Sequence, residues 1–150
     1  MVTARQAKRL RVPLAERPER LIEVVTYPGG PREVFRVYPE AALAAYSDAH
    51  LYHMVLAVEA IARLRPTAWS IPHRGGLTIP DAHLLFPWGE ALLEVDTGHY
   101  SIEAVVAKLR AFRTDRLYWA STRRERLKWV LDLARKLGKP VTPLLVPPVV

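Results

Sequence analysis

Pro80-Asp81-Ala82-His83-Leu84-Leu85-Phe86-Pro87-Trp88-Gly89-Glu90-Ala91-Leu92-Leu93-Glu94-Val95-Asp96 is the stretch on which the fold turns. Two apolar runs, Ile79 to Phe86 and Ala91 to Asp96, flank Pro87-Trp88-Gly89-Glu90. Gly89 supplies turn geometry between them, so the pattern predicts a β-hairpin. Side chains alternate faces along a strand, which puts Asp81 and His83 on one face and Glu94 and Asp96 on another. A two-residue loop at Trp88-Gly89, or a four-residue loop from Pro87 to Glu90, sets Asp81 opposite Asp96 and His83 opposite Glu94. A three-residue loop would separate them. In the first two cases three carboxylates and an imidazole crowd one side of the hairpin, and like charges so placed repel. A hard divalent ion held by carboxylate oxygens relieves that repulsion.

Working outward, 150 residues of which half are hydrophobic fit one ordinary domain with a short appendage and a real core. No apolar run approaches the ~18 residues needed to span a bilayer. Arg5, Lys8, Arg9 and Arg11 precede no long apolar segment, so no signal peptide is expected and the expected compartment is the cytoplasm, with no membrane partner. The absence of cysteine excludes disulfides, thiolate catalysis and cysteine-ligated zinc. His, Asp and Glu remain as metal ligands.

The net charge of +7 is unevenly spread. Residues 1 to 20 hold six basic and two acidic side chains, residues 101 to 140 hold eleven and four, and the stretch between holds five and nine. The ends would attract a polyanion such as DNA through phosphate contacts and counterion release. An acidic pocket in a basic frame suits a metal-dependent enzyme acting on nucleic acid, although solubility alone also accounts for a basic balance.

Along the chain, Thr3 can cap a short basic helix that Pro13 would stop. Leu21 to Tyr27 and Glu33 to Tyr38 flank Pro28-Gly29-Gly30-Pro31 and predict a second hairpin, and Pro39-Glu40 opens an alanine-rich helical segment to about Tyr46. This order resembles the second half of a winged helix-turn-helix, and it equally suits a packing appendage over residues 1 to 46. Ser47-Asp48 caps a helix from Ala49 to Leu64 whose only formal charge between Leu51 and Ala62 is Glu59, so Glu59 lies in or beside the core, facing a cleft or paired with Arg63. His53, on the same helix, either lines a site or is a satisfied core histidine.

Trp69 to Leu77 reads as a loop or irregular strand. Ser101 caps a helix to Phe112 with a predicted buried stripe of Ile102, Val105, Val106, Leu109 and Phe112, and Lys108 falls on its flank. Leu117 to Ala120 is a strand, Thr122 caps a helix to Leu137, and Val141 to Val146 is a last strand before a Pro147-Pro148 tail. Arg123, Arg124, Arg126 and Lys128 crowd the start of the last helix. Cations there oppose the helix dipole, so the cluster suits phosphate contact, and a solvated charged face accounts for it equally.

Glu59, Pro80-Asp81, Glu94-Val95-Asp96 and Lys108 together resemble the signature of the PD-(D/E)xK nuclease superfamily. More narrowly, His53-Met-Val-Leu-Ala-Val-Glu59, Pro80-Asp81-Ala82, Leu93-Glu94-Val95-Asp96-Thr97-Gly98 and Lys108-Leu109 resemble the plasmid replication-relaxation family, over residues 20 to 146. The resemblance implies an α/β restriction-endonuclease-like core over residues 47 to 150, a mixed sheet flanked by helices, behind a truncated winged-helix-like appendage. Asp96 stands where the superfamily usually has lysine, and Lys108 on the following helix would take that lysine's place. The implied chemistry is Mg²⁺- or Mn²⁺-dependent phosphodiester hydrolysis, as nuclease or nickase, in plasmid or mobile-element DNA processing. Asp81 and Glu94 would ligate the ion, with Glu59 and Asp96 as further or outer ligands and Lys108 positioning water or stabilising transition-state charge. Arg5, Lys8, Arg9, Arg123, Arg124, Arg126 and Lys128 are the expected DNA contacts. Two other readings stay open: a non-catalytic DNA-binding accessory protein of replication, relaxation or mobilisation, and an assembly module whose basic ends bind an acidic partner. A homodimer is compatible with each.

Overall fold

A computed structural model describes residues 1–72 and 76–148. It is a mixed α/β protein with two sheets. The N-terminal part holds β1 (Val2–Thr3), α1 (Ala4–Leu10), β2 (Arg20–Val25) and β3 (Arg32–Tyr38), with an antiparallel three-stranded sheet in the order β1-β3-β2. Thr3 caps α1 in a reciprocal box: its hydroxyl accepts from Gln6 N at 3.2 Å while Gln6 Oε1 accepts from Thr3 N at 3.1 Å. The expected alanine-rich helix is only a 3₁₀ turn, Ala41–Leu43. A run that short is below the length at which helix nucleation is repaid, and Arg20 captures the carbonyls of Ala44 and Tyr46 while pairing with Asp48.

The rest is α2 (Asp48–Leu64), β4 (Ala68–Ser70), β5 (Ala82–Phe86), β6 (Gly89–Val95), α3 (Ile102–Ala111), β7 (Leu117–Ser121), α4 (Arg124–Lys136) and β8 (Val141–Leu145). This is the order expected of helix, hairpin, helix, strand, helix, strand, with β4 added at the start of the region read as a loop or irregular strand. Of that region, residues 73–75 lie outside the described residues. The five strands form one sheet in the order β4-β5-β6-β7-β8, antiparallel from β4 to β6 and parallel from β6 to β8. α2 covers one face and α3 with α4 the other. Among the described residues no helix is long and apolar enough to cross a membrane.

Three local expectations shift. The hairpin turn is Pro87-Trp88, with Gly89 at φ +132° already in β6 and paired with Phe86. Proline has no N–H to give a ladder and suits the turn. Trp88 stacks on Phe86 at 4.5 Å, and the Arg116 guanidinium lies 4.2 Å from the Trp88 ring centre on the indole. Ala82 therefore pairs with Leu93 and His83 with Leu92, two residues from the expected register, and Asp81 lies one residue beyond the ladder on the side of Glu94. A shift of two, unlike a shift of one, leaves every side chain on its face. In α3 the buried stripe is Val105, Lys108 and Leu109, continued by Phe112, while Ile102 is 58% exposed. At α4 the capping position is Arg123, not Thr122; Ser121 Oγ accepts the Arg123 N–H at 3.3 Å instead.

The two parts share one apolar cluster. Ile22, Val24, Phe35 and Val37 from the small sheet join Leu51, Val55 and Leu56 of α2 and Leu84 and Leu93 of the large sheet. Glu59 and α1 add a polar clamp. Gln6 Nε2 donates to Val55 O at 3.0 Å and to Glu59 Oε2 at 3.3 Å, and Arg9 Nη1 and Arg63 Nε reach Glu59 Oε1 at 3.0 and 3.2 Å. Burial alone would raise the Glu59 carboxyl, but these donors outweigh it and hold it below its ordinary value. Arg9 is half exposed, so Arg9→Ala should cost only about 1 kcal/mol of stability, read as a lower urea midpoint at unchanged slope. An unchanged midpoint would mean that the clamp adds nothing.

Candidate active site

The site forms where the start of β5, the end of β6 and the inner face of α3 converge. Asp81 immediately precedes β5. Its N–H donates to Leu93 O at 2.9 Å and its Oδ2 accepts from Val95 N at 2.7 Å, so the backbone of β6 fixes the carboxylate. Oδ1 lies 2.9 Å from His53 Nε2 on α2. His53 is thus a partner of Asp81. Burial works against a charged His53, but the Asp81 carboxylate outweighs burial and holds the imidazole above its ordinary value.

Glu94, between Leu93 and Val95, is completely buried. Lys108 Nζ stands 2.8 Å from Glu94 Oε1 but out of line for a hydrogen bond; among the described residues neither Glu94 oxygen accepts one. The same ammonium donates to Gly76 O at 3.2 Å and lies 5.2 Å from the Tyr100 ring centre and 5.6 Å from that of Phe112. The compensation by Glu94 and the two rings explains why a lysine sits on the inner stripe of α3. Burial and then the Asp81 charge push the Glu94 carboxyl up, while Lys108 opposes them. Tyr100 is raised well above the ordinary phenol range by burial first and then by Glu94 and Asp81, so its hydroxyl stays protonated beside them.

Asp96 shares the sheet face of Glu94 but is engaged elsewhere. Its Oδ1 accepts from Gly98 N at 2.7 Å, and its Oδ2 accepts from Trp119 Nε1 at 3.2 Å and from Arg126 Nε at 2.8 Å. Arg126 thereby leaves the set of free phosphate contacts; its remaining arm donates to Tyr100 O at 2.8 Å. Glu59 is also outside the cluster: its hydrogen-bond and ion-pair partners among the described residues are Gln6, Arg9 and Arg63. The four expected acids therefore divide into a neighbouring pair, Asp81 and Glu94, and two acids held by arginine. Among the described residues no group of three or more His, Asp or Glu side chains is arranged to hold a metal ion.

Of the expected DNA contacts, Arg5, Lys8, Arg124 and Lys128 are exposed, Arg9 is tied to Glu59, and the Arg123 guanidinium stacks 4.6 Å from the Tyr27 ring centre. Pro28, at the same hairpin tip, packs so closely that a Cβ on Gly98 would meet its Cδ at 3.3 Å.

The charge arrangement makes stability pH-dependent. A raised Glu94 leaves the fold unpenalised below the unfolded glutamate value of about 4.3 and penalised as pH climbs toward the folded value; a raised His53 stabilises below about 6.5 and loses that contribution above its folded value. Both terms fall as pH rises. With chelator present, the melting temperature should decline from about pH 5 to pH 8, and Glu94→Gln should flatten the decline. A melting temperature that climbs over this range would contradict the assigned charges.

No protein-family model matches this chain, and neither a curated protein nor a solved structure matches it.

Proposed function

We propose that Asp81, Glu94 and Lys108 form a divalent-metal-dependent phosphodiesterase centre acting on DNA, a nuclease or nickase in the restriction-endonuclease-like arrangement that the sequence resembles. The observation that carries this reading is the buried Lys108 ammonium, 2.8 Å from a fully buried Glu94 whose strand neighbours Leu93 and Val95 both hydrogen-bond Asp81. Two carboxylates and a lysine at one strand end match the chemistry of the signature, with the lysine supplied by the following helix.

The donor set suits Mg²⁺ or Mn²⁺ in a particular way. Mg²⁺ is commonly bound by one or two carboxylates, with waters and substrate phosphates completing its shell, so a protein cage of three or more acids is unnecessary. Glu94 brings two oxygens that accept no hydrogen bond among the described residues, and Asp81 keeps Oδ1 beside a histidine that could yield it. When bound, the ion would polarise the scissile phosphate and lower the pKa of an attacking water. Asp81 and Glu94 would hold it, and the Val95 N–H keeps Asp81 oriented. Lys108, freed in part from Glu94, would bind a phosphate oxygen or orient the water and stabilise negative charge in the transition state. In this reading Asp96 and Glu59 support the fold and are not ligands.

DNA as substrate follows from the basic surface. Arg5, Lys8, Arg124 and Lys128 are exposed and available for phosphate contacts. A second reading, a non-catalytic DNA-binding accessory protein, is favoured by the internal pairing of Glu94 with Lys108 and of Asp96 with Arg126.

Supercoiled plasmid incubated with Mg²⁺ or Mn²⁺ should be nicked by the wild type and not by Asp81→Ala or Glu94→Ala. Mn²⁺ should raise the melting temperature of the wild type more than that of Asp81→Ala. Equal nicking by all three proteins would point to a contaminant and sink the site. No nicking, with salt-dependent DNA binding retained, would establish the second reading. Arg124→Ala with Lys128→Ala should weaken binding uniformly across sequences and reduce the salt slope by about 2.

A further inference from the structure

The segment from Asp96 to Tyr100 leads from the end of β6 toward the start of α3. At one end Asp96 holds its own loop through the Gly98 N–H and is gripped by Trp119 and Arg126. At the other, the second arm of Arg126 holds the Tyr100 carbonyl at 2.8 Å. One guanidinium thus ties both ends of the loop to α4. The Tyr100 ring that this fixes lies 5.2 Å from the Lys108 ammonium, and its phenol feels the Glu94 and Asp81 charges.

We propose that Arg126 and Tyr100 are positioning residues of the Asp81–Glu94–Lys108 centre: the Asp96–Arg126 pair pins the 97–100 loop so that the Tyr100 ring closes over Lys108 and holds the ammonium against Glu94. This deepens the phosphodiesterase reading and rests on it for any catalytic consequence. Asp96, the acid at the usual lysine position, then works through the loop rather than on an ion. The geometry explains why Asp96 is fully buried yet spends both oxygens on donors outside the centre. It also explains why the last helix begins with a cation against its own dipole: the charge of Arg126 is matched by Asp96 and not by the helix.

The test begins without metal or DNA. Lys108 acetylation by an amine-reactive ester, followed by mass spectrometry, should rise several-fold in Arg126→Gln and in Tyr100→Ala, while labelling of exposed Lys128 and Lys136 stays constant. The two effects should be less than additive in the double variant, because both act on one ring. Circular dichroism establishes that each variant is folded; if Arg126→Gln is not, Tyr100→Ala carries this arm alone. Unchanged Lys108 labelling in a folded variant overturns the proposal, as does an equal rise at all lysines. In the nicking assay Tyr100→Ala and Arg126→Gln should lower kcat about 10- to 100-fold with KM and the DNA salt slope unchanged, whereas Tyr100→Phe, which keeps the ring, should retain most of the activity. A rise in KM alone overturns the proposal in favour of a DNA-contact role. Increased Lys108 labelling in variants of a protein that does not nick leaves the pinning established and removes only the phosphodiesterase reading.

Discussion

A carboxylate with no solvent exposure in the middle of a sheet is the constraint around which this molecule is arranged. Burial disfavours a charge on Glu94 and Lys108 compensates it in part; when both are charged, removing one partner of such a pair typically costs about 3–5 kcal/mol because the other is left uncompensated. Neither residue can therefore turn away from the other. The requirement fixes the rotation of α3, sends Ile102 into solvent at the helix start, and draws the Gly76 carbonyl toward the ammonium. It also ties the covering helix to the hairpin more specifically than the apolar contacts between Val105, Leu109 and Trp119 would alone.

Much of this was legible in the sequence because it depends on short-range rules. Alternation assigned Glu94 and Asp96 to one face, and the register slipped by an even number of residues, which leaves each strand side chain on its expected face. Ser47 and Ser101 cap their helices as expected, each accepting the backbone N–H three residues on. The order of elements from α2 onward followed from apolar period and from Gly and Pro placement.

What remained hidden depends on partners far away in sequence. The apolar stripe of α3 misplaced Lys108 by a fraction of a turn because a lysine scores as polar until a buried carboxylate faces it. That Asp96 is engaged by Arg126, thirty residues later, was hidden because Arg126 belongs to a helix whose rotation no local pattern reveals. The clamp on Glu59 was hidden for the same reason: Arg9, fifty residues earlier, reads as a surface cation until α1 is laid on α2. Tyr100 carries no periodic signal, and it precedes its helix. His53 was left between lining residue and core residue, and its bond to Asp81 decides the matter as structure without deciding it as chemistry.

The apolar cluster that runs from Ile22 and Val37 through α2 to Leu84 and Leu93 has a consequence for how the chain divides. A line drawn between residues 46 and 47 cuts through shared core, and the Pro28 tip rests against Gly98 on the loop beside the site. The first 46 residues therefore share one packed core with the rest of the chain. Exchanging them for another segment would require repacking one side of α2 and the approach to the carboxylates together.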